Sequence, residues 1–371
     1  MIRWATVTDV TDAGVWIMSG WLPAATGPLP ALGNPHPGDP VLVVRTDEGE
    51  LAVLPPPRRT APRWRGGNIS AWNYGPYANL PLIIDQVAAL GLNCVTVPVR
   101  VAAVDIHDST PTVDTAHLAW AQTVAAALPD VAIIAEPYPW VDNGNQSETL
   151  WDPDDVAEWF TAWTAACRTV AEAFPQAAMV YIGSNIVSME NAHPDQWAQL
   201  VAAVREVTGA ELSYRCNWWY EQTRLAGLRS WPLLDLVDVI SVAAYFELTD
   251  TTSPSYDEIR ASLDGSLVWN RNQNIVADVQ SLSQAHAGKP VFFGELACAH
   301  WDNALGAPWN PDTGTVRDKM IQQRMFAAYV DAFGRHQWWR GFSVFGVAGF
   351  ADSGYTLELP AIGYIANLGA S

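Results

Sequence analysis

The sequence predicts an α/β fold: a (β/α)8 barrel of the TIM-barrel type preceded by a small all-β N-terminal domain. Three observations carry this reading. Residues 1–54 alternate apolar and polar positions over short runs separated by Gly- and Pro-rich turns. From Trp64 onward the pattern becomes short apolar runs alternating with amphipathic stretches of helical period. Between the two, the proline-rich segment 55–63 breaks both patterns. The length of 371 residues fits the same partition, because a barrel takes roughly 250 residues and leaves room for one small module.

In the first part the runs are 5–10, 14–18, 40–45 and 50–54, with the turn 33–40 rich in Gly and Pro. They predict a small antiparallel module, open-barrel-like. The segment 55–63 reads as a semi-rigid linker, since proline restricts φ. Eight strands are then expected at 67–72, 94–99, 131–135, 178–183, 211–215, 239–244, 291–294 and 342–346. Stretches such as 154–170 and 196–207 supply the helices, with Ser, Asp or Pro before several of them and Gly after. Beyond this alternation the chain shows no repeat of fixed period.

The most informative run is Val291-Phe-Phe, bounded by Pro290 and Gly294, because Glu295 follows it at once. A buried strand that ends in a carboxylate places a costly charge at the barrel's C-terminal rim, where barrel enzymes keep their chemistry. A structural carboxylate holding an Arg or a loop amide is the competing reading. The other strand ends bring Trp72, Asn73 and Tyr74, then Arg100, Glu136 to Asp142 with Trp140, and Asn185. They continue with Asn217, Trp218 and Trp219, Tyr245 and Phe246, His300 and Trp301, and Phe350. Carboxylates, amides and aromatics on one rim predict a sugar-cleaving site.

Composition narrows the partners. A formal charge of −19 without a Lys/Arg cluster argues against nucleic acid. No run reaches the roughly 18 uninterrupted apolar residues of a bilayer span, so no membrane insertion is expected. The N-terminus lacks the basic and apolar regions of a signal peptide. Nineteen tryptophans exceed ordinary packing needs, and stacking on sugars or core filling would each employ them. Cys94, Cys167, Cys216 and Cys298 form no Cys-x-x-Cys pair and read as buried free thiols. No cofactor is expected, since Gly-rich phosphate loops are absent. No metal is expected either: His300-Trp-Asp302 and Asp312 lack ligand spacing, and a rim histidine hydrogen-bonded to a carboxylate accounts for them better. Ser70 and Ser184 show no paired His and Asp, and Glu190 and Asn191 read as a helix-start cap.

Several segments resemble the mannanase-like glycoside hydrolases of clan A. Ala244-Tyr-Phe-Glu-Leu-Thr-Asp250 is similar to the segment after that family's sixth strand, and Lys289-Pro-Val-Phe-Phe-Gly-Glu295 to its seventh. Glu136-Pro-Tyr-Pro-Trp-Val-Asp-Asn-Gly resembles its third βα unit, and Leu212-Ser-Tyr-Arg-Cys-Asn-Trp its fifth strand. Together they span about residues 66–360 and share the family's order. The resemblance implies that Glu295 is a nucleophile, held by Tyr245 and Arg100. Their positions after predicted strands predict that Trp72, Tyr74, Arg100, Trp140, Asp142, Asn185, Asn217, Trp218, Trp219, Tyr245, His300 and Trp301 contact substrate. One departure stands out. Where the family carries a Gly-x-Glu acid/base after the fourth strand, this chain reads Gly183-Ser184-Asn185. An amide cannot supply and recover a proton, so the acid is expected elsewhere, Glu136 first, then Glu190, Asp142 and Glu247. Hydrolysis of an activated or unusual glycan by a different geometry, and glycan binding without cleavage, are the alternatives.

A β module ahead of such a barrel, in an acidic, Ala- and Trp-rich chain with Arg in excess of Lys, resembles a phage minor tail protein. The resemblance implies a virion location and a host-envelope polysaccharide as the target. Other tail proteins would be the partners of the N-terminal domain, with homo-oligomerisation left open.

Overall fold

The computed structural model describes residues 2–11, 14–18, 26–29, 40–45, 51–54, 62–312, 314, 316–349 and 353–369, the first five segments as backbone alone. The proline-rich segment 55–61 and Phe350 lie outside the described residues. The chain divides into two compact units, Met1–Thr60 and Ala61–Ser371.

In the first unit β1 (Ile2–Thr11), β2 (Gly14–Met18), β3 (Thr26–Leu29), β4 (Pro40–Arg45) and β5 (Leu51–Leu54) form one antiparallel sheet. Its order is β3-β2-β1-β4-β5.

The second unit is a closed parallel barrel. Its strands are β6 (Trp64–Ile69), β7 (Cys94–Ala103), β9 (Ala132–Val141), β10 (Met179–Ser184), β11 (Glu211–Asn217), β12 (Val239–Ala243), β13 (Val291–Leu296) and β14 (Trp339–Val347). Each pairs with its neighbours in chain order, and β6 closes the ring by pairing with both β14 and β7. The two-residue β8 (Thr112–Val113) adds antiparallel to β7. All eight predicted runs are strands, with edges displaced by a few residues. The largest displacement is β9, which continues through Glu136-Pro-Tyr-Pro-Trp to Val141. Past Ala135 it pairs with β7 and no longer with β10, so Pro137 and Pro139 sit where the strand has become an edge and a missing N–H costs little.

The helices fill the connections: α1 (Leu80–Ala89), α2 (Thr115–Ala126), α3 (Val156–Ala173), α4 (Pro194–Arg205), α5 (Gln222–Arg229), α6 (Leu233–Leu236), α7 (Tyr256–Gly265), α8 (Ile275–Ala285), α9 (Ile321–Phe333) and α10 (Leu359–Asn367). Their starts follow ordinary capping chemistry. Asp155 accepts from the Glu158 amide to begin α3, and Ser255 with Glu258 forms a capping box on α7. Much of the tryptophan is core. Trp151, Trp159, Trp163, Trp197 and Trp231 are all essentially inaccessible and pack edge-on or stacked over α3, α4 and Tyr214 of β11.

Inside the ring the N-terminal end is apolar, with Trp64, Cys94, Ile134, Met179, Val239 and Phe292 in one cluster. Toward the C-terminal end the filling turns polar. Ser241 Oγ stands 3.0 Å from both Tyr181 Oη and Ser213 Oγ, and Asn68 Nδ2 donates to the Gly294 carbonyl at 2.7 Å. Two irregularities aim residues from this level. Between Tyr181 and Ser184, β10 has one residue more than β11, and between Phe292 and Glu295, β13 has one more than β12. Such bulges redirect the side chain that follows.

Candidate active site

Glu295 leaves β13 just after its bulge and is 7% exposed. Arg215 of β11 points into the ring on the same side as Ser213, two residues before it, as strand alternation requires. Its Nη2 lies 2.9 Å from Glu295 Oε1 and 2.5 Å from Glu136 Oε1. Gly294 makes room for it: a Cβ there would stand 2.9 Å from Arg215 Cδ and 2.5 Å from Tyr181 Oη. The hydroxyl of buried Tyr245 faces Glu295. Burial first and that carboxylate second hold the phenol's pKa well above its ordinary value.

Glu136 is 2% exposed, and both of its oxygens meet the Arg215 fork. Burial pushes its carboxyl up to about 7, with Arg215 pulling down and Glu295 and Glu148 pushing up. Because Glu136 and Glu295 share one nitrogen, they are no further apart than a retaining pair, which sits about 5–5.5 Å apart. In a retaining pair, however, the scissile bond occupies the gap; here a guanidinium does. Glu136, preferred from sequence as the acid, is therefore placed to anchor Arg215.

A third carboxyl completes the group. Glu148 is half-buried in a single helical turn, Glu148–Leu150, on the loop after β9. Its Oε1 accepts from Asn185 Nδ2 at 3.3 Å. Asn185 follows the β10 bulge in the left-handed region (φ 55), a conformation asparagine tolerates, and its backbone N–H donates to the Arg215 carbonyl at 2.9 Å. Burial raises the Glu148 pKa, and the Glu295 charge raises it further. Its own backbone amide, Asn185 and Arg215 act in the opposite sense, and the net shift is upward.

The other expected residues divide. Arg100 does not hold Glu295. Its Nε and Nη2 donate to the Ala71 carbonyl at 3.0 and 2.7 Å, and its guanidinium covers the Trp140 ring at 3.9 Å. Trp72 packs edge-on to Trp140 at 4.7 Å and is 39% exposed, while Trp140 is buried. Tyr74 borders the same guanidinium at 5.3 Å. Asp142, half-buried and left-handed, begins the turn whose Gly144 lies against both indoles. Trp218 stands edge-on to Tyr245, with a buried Nε1 that meets no partner among the described residues; Asn217 Oδ1 accepts from the Trp218 amide. Trp219 is not a platform. It is 1% exposed, packed on Phe246 with its Nε1 donating to Asp278, because the chain turns after Trp218 and carries its neighbour into the core behind the rim.

His300 and Trp301 spend their polar atoms on support of the surrounding loops. His300 Nδ1 faces the Thr356 carbonyl at 3.4 Å, and Trp301 Nε1 donates to the Pro311 carbonyl at 2.7 Å. Glu190 is tied to Arg224 at 2.6 Å, and Glu247 to Arg271. Among the described residues no group of three His, Cys, Asp or Glu side chains is arranged to hold a metal. The two residues missed by sequence reasoning are Arg215 and Glu148. Strand alternation with Ser213 placed Arg215 inside the ring, whereas Glu148 stands in a polar loop without periodic signal.

A model of Glycoside Hydrolase Family 113 matches residues 142–348. No curated protein sequence matches the chain. Among solved structures, a GH113 β-1,4-mannanase superposes with a TM-score of 0.63 at 16% identity, covering 84% of this chain and 99% of that one. The GH113 β-mannanase of Alicyclobacillus acidocaldarius gives 0.63 at 18% identity, covering 83% and 97%. A β-glucuronidase from Ruminococcus gnavus gives 0.51 at 11%, covering 89% and 56%. At these identities the likeness is one of fold.

Proposed function

The chain belongs to Glycoside Hydrolase Family 113, and from that premise we propose that it hydrolyses O-glycosyl bonds in a polysaccharide with Glu295 as the nucleophile. The carrying observation is Glu295 itself: a carboxylate at the end of the seventh barrel strand, re-aimed by a bulge and held by Arg215 and Tyr245. Attack of its oxygen on the anomeric carbon gives a glycosyl ester that water then opens. Trp72 offers a ring face to the sugar. Arg215 keeps the carboxylate oriented, and Glu136 balances the buried guanidinium.

The polymer we propose belongs to a bacterial envelope. The protein would act in a phage tail, the N-terminal sheet docking to other tail proteins. An acidic, Trp-rich chain with a separately paired β module supports this setting. The alternative, a barrel that binds glycan without cutting it, draws its support from Asn185 at the usual acid position. Reducing-sugar release from β-1,4-mannan and from isolated envelope polysaccharide decides between them. The parent should release sugar, and Glu295→Gln should lose at least about 10³-fold in rate while keeping its circular dichroism. Equal rates in parent and variant would remove Glu295 from the reaction.

A further inference from the structure

We propose that Glu148, supplied by the loop after the third barrel strand, is the proton donor of this site, and that Asn185 positions it. The assignment deepens the hydrolase reading and rests on it.

Five carboxyls compete for the role, and ion pairs remove three. Glu136 has both oxygens in the Arg215 fork. Glu190 is paired with Arg224 and Tyr214, and Glu247 with Arg271. Asp142 sits two residues past Trp140, on the turn against the indoles that Arg100 covers. Glu148 is held by neutral donors: Oε1 accepts from the Asn185 side-chain amide, and its own backbone amide also hydrogen-bonds the carboxyl. A cation would fix the carboxyl in its charged form. A neutral amide orients it while favouring the charged form far less, which suits an acid that must lose and regain a proton.

The position is as telling. Asn185 stands where the fourth strand ends, and its backbone amide is bonded to the carbonyl of Arg215, whose guanidinium carries Glu295. The Glu148 carboxyl therefore lies one amide beyond the fourth-strand end. The groups that face it are Glu295 of β13, Glu136 and Tyr138 of β9, Asn185 of β10 and Arg215 of β11. A site with two further carboxylates and one guanidinium favours the protonated form of the third carboxyl.

Glu295 Oε forms a bond to the anomeric carbon while the glycosidic C–O bond breaks. The departing electron pair remains on the leaving oxygen, which takes the proton from the Glu148 carboxyl. In the second half water attacks the same carbon, its proton passes to Glu148, and the ester bond to Glu295 breaks. Loop supply of the acid explains how a chain with an amide at the end of the fourth strand retains a Glu295 site.

The test compares two leaving groups in the full chain. On β-1,4-mannan or the envelope polysaccharide, Glu148→Gln should be slower by about 10²–10⁴-fold. On 2,4-dinitrophenyl β-mannoside, whose leaving group needs no proton, the burst of phenolate should keep its parent rate. With Glu148→Ala, added azide should restore turnover and yield a glycosyl azide of retained configuration. Glu136→Gln should show neither signature. If Glu148→Gln, folded by circular dichroism, cleaves glycan at the parent rate, or loses equally on both substrates without azide rescue, the assignment falls and the hydrolase reading stands. If the parent cleaves none of these substrates, the hydrolase reading falls and takes the assignment with it.

Discussion

His117 sits in one tautomer by construction. Its Nδ1 accepts from the Arg100 amide at 3.4 Å, so Nε2 carries the hydrogen and donates to the Ala71 carbonyl at 3.3 Å. Burial, with the Arg100 charge beside it, lowers the ring's pKa from 6.5 to about 4. The sign follows from proton counting: between those values the unfolded chain binds a proton that the folded one does not. Stability from this group is complete above pH 6.5 and is lost as pH falls toward 4, by about 3 kcal/mol. Glu136 and Glu190, both pushed up to about 7, act oppositely over much of the same range. The difference between variant and parent therefore isolates the histidine. His117→Gln keeps the acceptor and the donor without the titration, and urea unfolding from pH 7 to 4 should show a shallower acid loss than the parent. Parallel curves would mean that His117 titrates normally. At this scale Glu295 was legible in the sequence because a carboxylate at the end of an apolar run has few structural excuses. Arg100 was misassigned because a strand-end position says which rim a side chain occupies, not which carbonyl or ring it meets.

Elements explain which tryptophans are available to sugar. Every aromatic that follows a barrel strand reaches the rim in sequence, yet the turn that ends the strand decides its direction. Trp218 and Trp219 are adjacent and face opposite ways, one edge-on to Tyr245 and the other against Phe246 and Asp278. Trp219→Ala should therefore lower unfolding free energy by about 3–5 kcal/mol. Trp72→Ala should cost less than about 1 kcal/mol of stability and instead raise KM several-fold, as loss of an exposed stacking face does. Denaturant unfolding beside glycan kinetics reads both, and the reverse pattern would exchange their roles. The one-residue excesses in β10 and β13 were not readable from the chain, since register depends on partners far away in sequence. Neither was the extension of β9 through two prolines, which is tolerated only because β10 has already parted from it.

At the scale of the molecule, the barrel was legible because eight apolar runs separated by amphipathic stretches leave one parallel closure, and the ring forms in that order. The site was legible only in outline. A barrel collects its rim from eight loops, and a residue such as Glu148, seven positions beyond the end of its strand, gains its meaning from the strand next door. Arg215 joins Glu136 to Glu295, and Asn185 joins Arg215 to Glu148, so three carboxyls from separate segments act on one charge balance. The central consequence of a nucleophilic Glu295 is its covalent attachment to sugar. Incubation with a 2-deoxy-2-fluoro β-mannosyl fluoride, followed by intact mass and peptide mapping, measures it most directly. A single fluorosugar on Glu295, absent from Glu295→Gln, is the predicted result; a turning-over protein that acquires no label, or carries it on another residue, would contradict it.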